Sequence, residues 1–197
     1  MSFEGVDGSG KSTQVDLLAS ALRADGREVV VTREPGGTEV GELVREVVLK
    51  GPEMTPLAEA ALFAASRAEL VATVIKPALE RGADVICDRY VDSSLAYQGI
   101  ARGIGVDDVL ALNLHATQNV MPDLTVLLVV NADEAAARAG ATDRLERESA
   151  AFRRRVAAAY DELARLYPER IVAFDGTLPP AELAAQITGR LRAELVR

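Results

Sequence analysis

A single cysteine, Cys87, in a chain of 197 residues has no partner for an internal disulfide. It also excludes a cysteine-rich zinc site and fits a reducing compartment. One histidine, His115, argues against a His-based metal centre, and both residues read as structural. Basic charge is in deficit: Lys plus Arg number 22 against 30 Asp plus Glu, a formal net charge of −8. A polynucleotide or an anionic membrane surface rewards a basic face, so neither is expected as the main partner. A small phosphorylated ligand, which needs only a local cluster of donors, stays open. No apolar run approaches the ~20 residues of a membrane helix, and no charged-then-apolar segment starts at Met1. The expectation is a soluble, cytoplasmic protein. With 49% hydrophobic and 26% charged residues, the chain has the composition of an ordinary globular domain. At this length folding buries roughly 70% of the unfolded surface, enough to hold together without staples.

Short β-branched runs alternate with long Ala/Leu/Glu/Arg stretches of helical period, the pattern of a parallel sheet covered by helices. Strands are expected at 29–32, 83–87, 124–130 and 170–174, each a near-continuous apolar run suited to burial on both faces. Met1-Ser2-Phe3-Glu4 reads as a first strand, short for a central position; either it is short in the fold or the chain begins inside it. Val15, Leu18 and Leu22 share one helical face, as do Phe152, Val156, Tyr160 and Leu163, and Leu183, Ile187, Leu191 and Leu195. Pro179-Pro180 opens the last helix. With no repeat, low-complexity tract or long linker, residues 1–197 read as one α/β domain.

Gly5-Val6-Asp7-Gly8-Ser9-Gly10-Lys11-Ser12, followed by Thr13, matches G-x-x-x-x-G-K-[ST] between an apolar start and an amphipathic helix. Glycines let backbone N–H groups converge on phosphate oxygens, and a helix starting near Lys11 points its positive end at them. Lys11 is expected at the β- and γ-phosphates and Ser12 at Mg²⁺. A guanine-reading N-K-x-D is absent: the strand ending at Val130 is followed by Asn131-Ala132-Asp133-Glu134. The only D-x-x-G, Asp7 to Gly10, lies inside the loop itself, which argues against a regulatory GTPase.

Four further segments fall at strand ends or on the helices after them, where ligands bind in open α/β sheets. They are Thr32-Arg33-Glu34-Pro35-Gly36-Gly37-Thr38, then Phe63 and Arg67 four apart on one helical face. Next come Asp88-Arg89-Tyr90 with Ser94, Tyr97, Gln98 and Gly99, and lastly Asp143-Arg144-Leu145-Glu146-Arg147. In this order and spacing the motifs resemble the thymidylate kinases, along the whole chain. The resemblance implies a P-loop NTPase three-layer fold with a five-stranded parallel sheet, a homodimer, and transfer of phosphate from Mg-ATP to dTMP in dTTP biosynthesis. It implies that Asp88 faces the metal, with Glu34 ordering a metal-bound water, and that Arg89 holds the acceptor phosphate with Arg33 adding a contact. Phe63 resembles the residue that stacks on thymine and Arg67 the donor to a thymine carbonyl. Ser94 resembles the side chain near the base edge, with Gln98 in the same dTMP set. Tyr97 resembles the residue crowding the sugar 2′ position, and Asp7 the carboxylate that accepts from the 3′-hydroxyl.

An acceptor phosphate is mostly dianionic at neutral pH, its second pKa lying near 6, so no general base is needed and cations do the catalysis. Gly8 in the loop resembles family members whose positive charge comes from a mobile lid, here about residues 137–147. Ala139-Gly140-Ala141-Thr142 is short and uncharged, a departure from such lids, so Arg138, Arg144 and Arg147 are the candidates, Arg144 first. Arg153-Arg154-Arg155 reads as a solvated helix face. The rival readings are a nucleoside-monophosphate kinase of guanylate or uridylate type and a non-catalytic nucleotide-binding module.

Overall fold

The computed structural model describes residues 1–139 and 143–195. Five parallel strands form one sheet: β1 (Ser2–Glu4), β2 (Val29–Arg33), β3 (Asp84–Asp88), β4 (Thr125–Val129) and β5 (Ile171–Asp175), in the order β2-β3-β1-β4-β5. β1 is central and only three residues long, yet it pairs on both sides. Phe3 is in register with Asp88 on β3 and Val126 on β4. This puts the loop after β1 between the carboxyl ends of its neighbours, where the strand order reverses and ligands bind.

Strand side chains alternate between two cores. Val126 and Leu128 of β4 and Ile86 of β3 pack with Val15, Leu18 and Leu22 of α1 (Lys11–Ala24). Leu183 and Ile187, from the helix at Pro180–Leu195, complete that face. Leu127, Val85 and Cys87 face the opposite side, against Val156 and Leu163 of the helix at Ala150–Leu166. Between β2 and β3 run α2 (Glu39–Lys50) and α3 (Pro56–Leu70), capped by the Thr38 and Thr55 hydroxyls, which accept from the N–H groups of Gly41 and Ala58. Val91–Ser94 starts a helix that continues as a π-helical stretch over Leu95–Ala101, carrying Tyr97 and Gln98. Among the described residues no helix is long and apolar enough to cross a membrane.

Candidate active site

The loop from Gly5 to Gly10 joins β1 to α1 by conformations that only glycine enters readily. Gly5 sits at φ 138°, and an added Cβ would stand 2.7 Å from the carbonyl oxygen of Leu128. Gly10, at φ 92°, occupies the cap position of α1 without supplying a side-chain cap, so the helix's first N–H groups keep no side-chain partner there. Ser9 Oγ is buried and has no partner. Val6 is core, whereas Thr13 is exposed on the first turn of α1. Lys11 lies back across the loop, its Nζ donating to the carbonyls of Gly5 (3.1 Å) and Val6 (3.0 Å). Burial, and then the charge of Arg89, lower its ammonium to about 8. At the mouth of the loop, exposed Ser12 donates from Oγ to Asp88 Oδ2 at 2.6 Å. Two hard oxygens meeting beside a phosphate loop suit Mg²⁺, which takes few protein ligands and completes its shell with water and phosphate.

Arg89 follows Asp88 and adopts φ 70°, the left-handed region that a side chain with a Cβ seldom enters. That backbone turn aims the guanidinium into the space above the sheet. Nη2 meets Asp7 Oδ1 at 2.5 Å, and Nη1 donates to Ser93 Oγ (3.1 Å) and the Tyr160 hydroxyl (3.2 Å). Against the upward push of burial, Arg89 and Lys11 hold the Asp7 carboxyl down to about 2. Beneath this group lies Glu4, fully buried in β1. Its carboxylate accepts from the Tyr90 N–H (2.7 Å), Ser93 Oγ (2.6 Å) and the Tyr160 hydroxyl (3.0 Å). Burial and the neighbouring Asp92 carboxylate push Glu4 upward.

A cleft with about 590 Å³ of empty space opens beside Arg89 and Asp7. Phe63 of α3 forms part of its wall, packed on Val48 and Leu49 of α2. Tyr97 forms another part, its hydroxyl donating to Asp7 Oδ2 (3.3 Å) and its ring edge-on to Phe152 and Tyr160. Ser94 and Gln98 also line the cleft, Gln98 Nε2 being taken by Glu59 Oε1 at 2.8 Å. The structure thus brings Asp7, Phe63, Arg89, Ser94, Tyr97 and Gln98 together around one space.

Several expected residues lie elsewhere. Arg67, expected as a donor to the base, is only 1% exposed and does not line the cleft. Its Nε and Nη2 hold Glu34 Oε2 at 2.7 and 2.5 Å, and Nη1 donates to Ser94 Oγ (3.1 Å) and to Asn113 Oδ1. Nη2 also reaches the Tyr90 carbonyl at 3.0 Å. With every guanidinium nitrogen engaged, Arg67 braces Glu34 and Ser94, both of which line the cleft. Glu34, expected beside a metal-bound water, lines the cleft, which Ser12 and Asp88 do not. Burial raises its carboxyl against the pull of Arg67, and its Oε1 has no partner. Arg33 is exposed and paired with Glu42 of α2 at 2.9 Å, outside the cleft.

The expected lid is described only in part. Arg138 is exposed near the end of the helix at Ala132–Ala139, while Gly140, Ala141 and Thr142 lie outside the described residues. Arg144, the first candidate for a phosphate contact, is buried instead. Nη2 donates to Glu59 Oε2 (2.6 Å) and Nε to the Val48 carbonyl (3.0 Å). The buried Glu59 carboxylate on α3 thus holds the Arg144 guanidinium, and Arg144 does not line the cleft. Arg147 borders a polar groove with Arg102 and Glu148. Sequence reasoning missed Glu4, Arg45, Glu59 and Tyr160, and gave Ser93, part of the segment that holds Ser94 and Tyr97, no role. Of these only Glu4, a charged residue inside an apolar strand next to Gly5, carried a local signal. Arg154 meets Asp133 at 3.2 Å on the helix surface, and Arg155 covers the Phe152 ring.

A family model described as thymidylate kinase matches residues 3–187. The chain is 51% identical over 180 residues to a thymidylate kinase of Exiguobacterium sp. (strain ATCC BAA-1283 / AT1b), covering 89% of this chain and 85% of that one. It is 50% identical over 200 residues to a thymidylate kinase of Clavibacter michiganensis subsp. michiganensis, covering 98% and 94%. To a thymidylate kinase of Deinococcus radiodurans it is 48% identical over 191 residues, covering 95% and 93%.

Proposed function

The chain belongs to the thymidylate kinase family, the phosphotransferases that convert dTMP to dTDP, and from that premise we propose how its residues divide the work. ATP is the donor and is held by the loop from Gly5 to Thr13. The cleft beside it takes dTMP, with Phe63 against the base, Ser94 and Gln98 toward its edge, and Tyr97 and Asp7 at the sugar. Arg89 stands where both meet. That is the observation carrying the reading: one arginine, turned by a left-handed backbone, touches Asp7 of the loop and lines the acceptor cleft.

Two anions must approach each other, so the chemistry asks for cations and alignment rather than a base. Lys11, released from the Gly5 and Val6 carbonyls, would meet the β- and γ-phosphates. Arg89 would hold the acceptor phosphate, its multi-donor fork matching phosphate oxygens. Ser12 and Asp88 are the residues that would hold Mg²⁺. When bound, that ion neutralises charge developing on the phosphates. Arg138 and Arg147 remain for the donor side. Residues 1–197 are taken as one domain, and of the expected lid at about 137–147 the stretch from Asp143 is fastened to α2 and α3 through Arg144.

A homodimer is part of the same proposal. Val40, Leu43 and Val47 form an exposed apolar row on α2, Leu43 being 67% exposed, and Leu57 of α3 is 64% exposed. Such a patch favours a second copy over water. Leu43→Glu should shift sedimentation from dimer to monomer.

The deciding experiment is ADP release from Mg-ATP with dTMP, dUMP, ribosyl TMP, dCMP, dGMP and AMP. A strong dTMP preference supports the base and sugar assignments together. Turnover of another monophosphate alone would favour a different kinase, and none at all a nucleotide-binding module.

A further inference from the structure

Glu59 of α3 is 1% exposed, yet its carboxylate is surrounded by three donor side chains from two separate parts of the chain. Gln98 Nε2 reaches Oε1 at 2.8 Å. Arg102 donates to Oε1 at 3.3 Å and to Oε2 at 3.2 Å, and Arg144 reaches Oε2 at 2.6 Å. Against burial, these donors hold the Glu59 carboxyl below its ordinary value. Arg144 is fastened twice more, Nε to the Val48 carbonyl (3.0 Å) and its backbone N–H to the Leu49 carbonyl (2.8 Å). Arg102 passes the connection on to Glu148 at 2.6 Å.

The residues on either side of Arg144 face the cleft. Asp143, Leu145 and Glu146 all line it, and Leu145 packs with Val48, Leu49 and Phe63. Asp143 and Glu146 lock the local turn reciprocally: the Glu146 N–H donates to Asp143 Oδ1 (2.9 Å) and the Asp143 N–H to Glu146 Oε2 (3.3 Å). Between them, Arg144 points the other way, into the Glu59 pocket.

We propose that Glu59 is a positioning residue for the acceptor site: through Arg144 it pins residues 143–149 against α2 and α3, setting the cleft wall that faces Phe63. The same carboxylate orients Gln98, so one buried charge aligns two walls of one cleft. The acceptor named in its test rests on the reading of the cleft as the dTMP site; the pin itself does not.

The test uses Glu59→Gln, Arg144→Gln and the double variant of the full chain. Removing either partner should raise the KM for dTMP about tenfold, leaving kcat within about threefold and the KM for ATP unchanged. The double variant should be less impaired than the product of the singles, because both substitutions break one shared contact. Arg144 lies outside the sheet cores, so Arg144→Gln keeps the test available if Glu59→Gln fails to fold. Amide exchange supplies a readout independent of any acceptor: the Arg144, Arg147 and Glu148 amides should lose protection in each single variant. Faster exchange in a protein that ignores dTMP would uphold the pin and overturn the substrate reading. Unchanged exchange, or a hundredfold fall in kcat at constant dTMP KM, would overturn the pin, the latter by placing Arg144 at the transferring phosphoryl group.

Discussion

Ser12 Oγ and Asp88 Oδ2 meet at 2.6 Å, closing the first turn of α1 onto the carboxyl end of β3. The two side chains come from elements that share no sequence neighbourhood, and the parallel pairing of β1 with β3 brings them together. Removing either oxygen should weaken the hold on Mg²⁺ before anything else. Ser12→Ala and Asp88→Asn are each expected to lower kcat/KM by about 10²-fold and raise the Mg²⁺ concentration needed for half-maximal rate. Titrating turnover against Mg²⁺ checks this; variants with an unchanged Mg²⁺ midpoint would remove the pair from the metal site.

Arg89 depends on shape as well as charge. Its fork spans Asp7, Ser93 and Tyr160 at once, and a lysine offers one point charge in place of that fork. Arg89→Lys should therefore lose about 10²- to 10³-fold in kcat despite conserving charge, with thermal stability little altered. Steady-state kinetics beside a melting curve separate the two effects. A lysine variant within a few-fold of the parent would mean that charge alone suffices.

Lys11 sets a pH dependence whose sign can be worked out. Burial and Arg89 lower its ammonium to about 8, whereas in the unfolded chain it titrates near 10.5. Between those values the unfolded chain binds the extra proton, so the Lys11 contribution to stability rises with pH across that window. Donor binding moves the opposite way, because ATP phosphates need the cation. The KM for ATP should be flat below about pH 8 and climb toward tenfold per unit above it. A profile flat to pH 10 would show that Lys11 stays charged in the free protein.

The phosphate loop was legible because its chemistry is local: glycine conformations and a helix start are written in eight consecutive residues. Four strands were legible from apolar runs, with Val126, Leu128 and Leu127 falling to opposite faces as alternation requires. Yet β2 and β5, expected to be buried on both faces, carry exposed positions at Val31 and Ala173. What escaped depends on side chains meeting across elements. Nothing local marks Arg89 for φ 70°, Glu59 as an anchor, or Arg144 for burial within the segment expected to move. The resemblance placed Arg67 at a base carbonyl and Arg144 at phosphates. The structure shows buried carboxylates, Glu34 and Glu59, claiming both first.

That internal claim on Arg67 leads to a stability prediction. Arg67 and Glu34 form a pair whose side chains are 1% and 3% exposed, and Arg67 also supports Ser94, Asn113 and the Tyr90 carbonyl. Arg67→Met would leave the Glu34 carboxylate buried without its cation and should cost about 3–5 kcal/mol. Following it with Glu34→Gln should recover part of that loss, since the uncompensated charge is then gone. Acceptor KM should rise in both, because Ser94 and Glu34 lose the group that orients them while Phe63 and Arg89 stay in place. Urea unfolding of the two proteins, read with dTMP kinetics, distinguishes this from direct base contact. A direct contact would weaken dTMP binding with stability within 1 kcal/mol of the parent, and the second substitution would restore nothing.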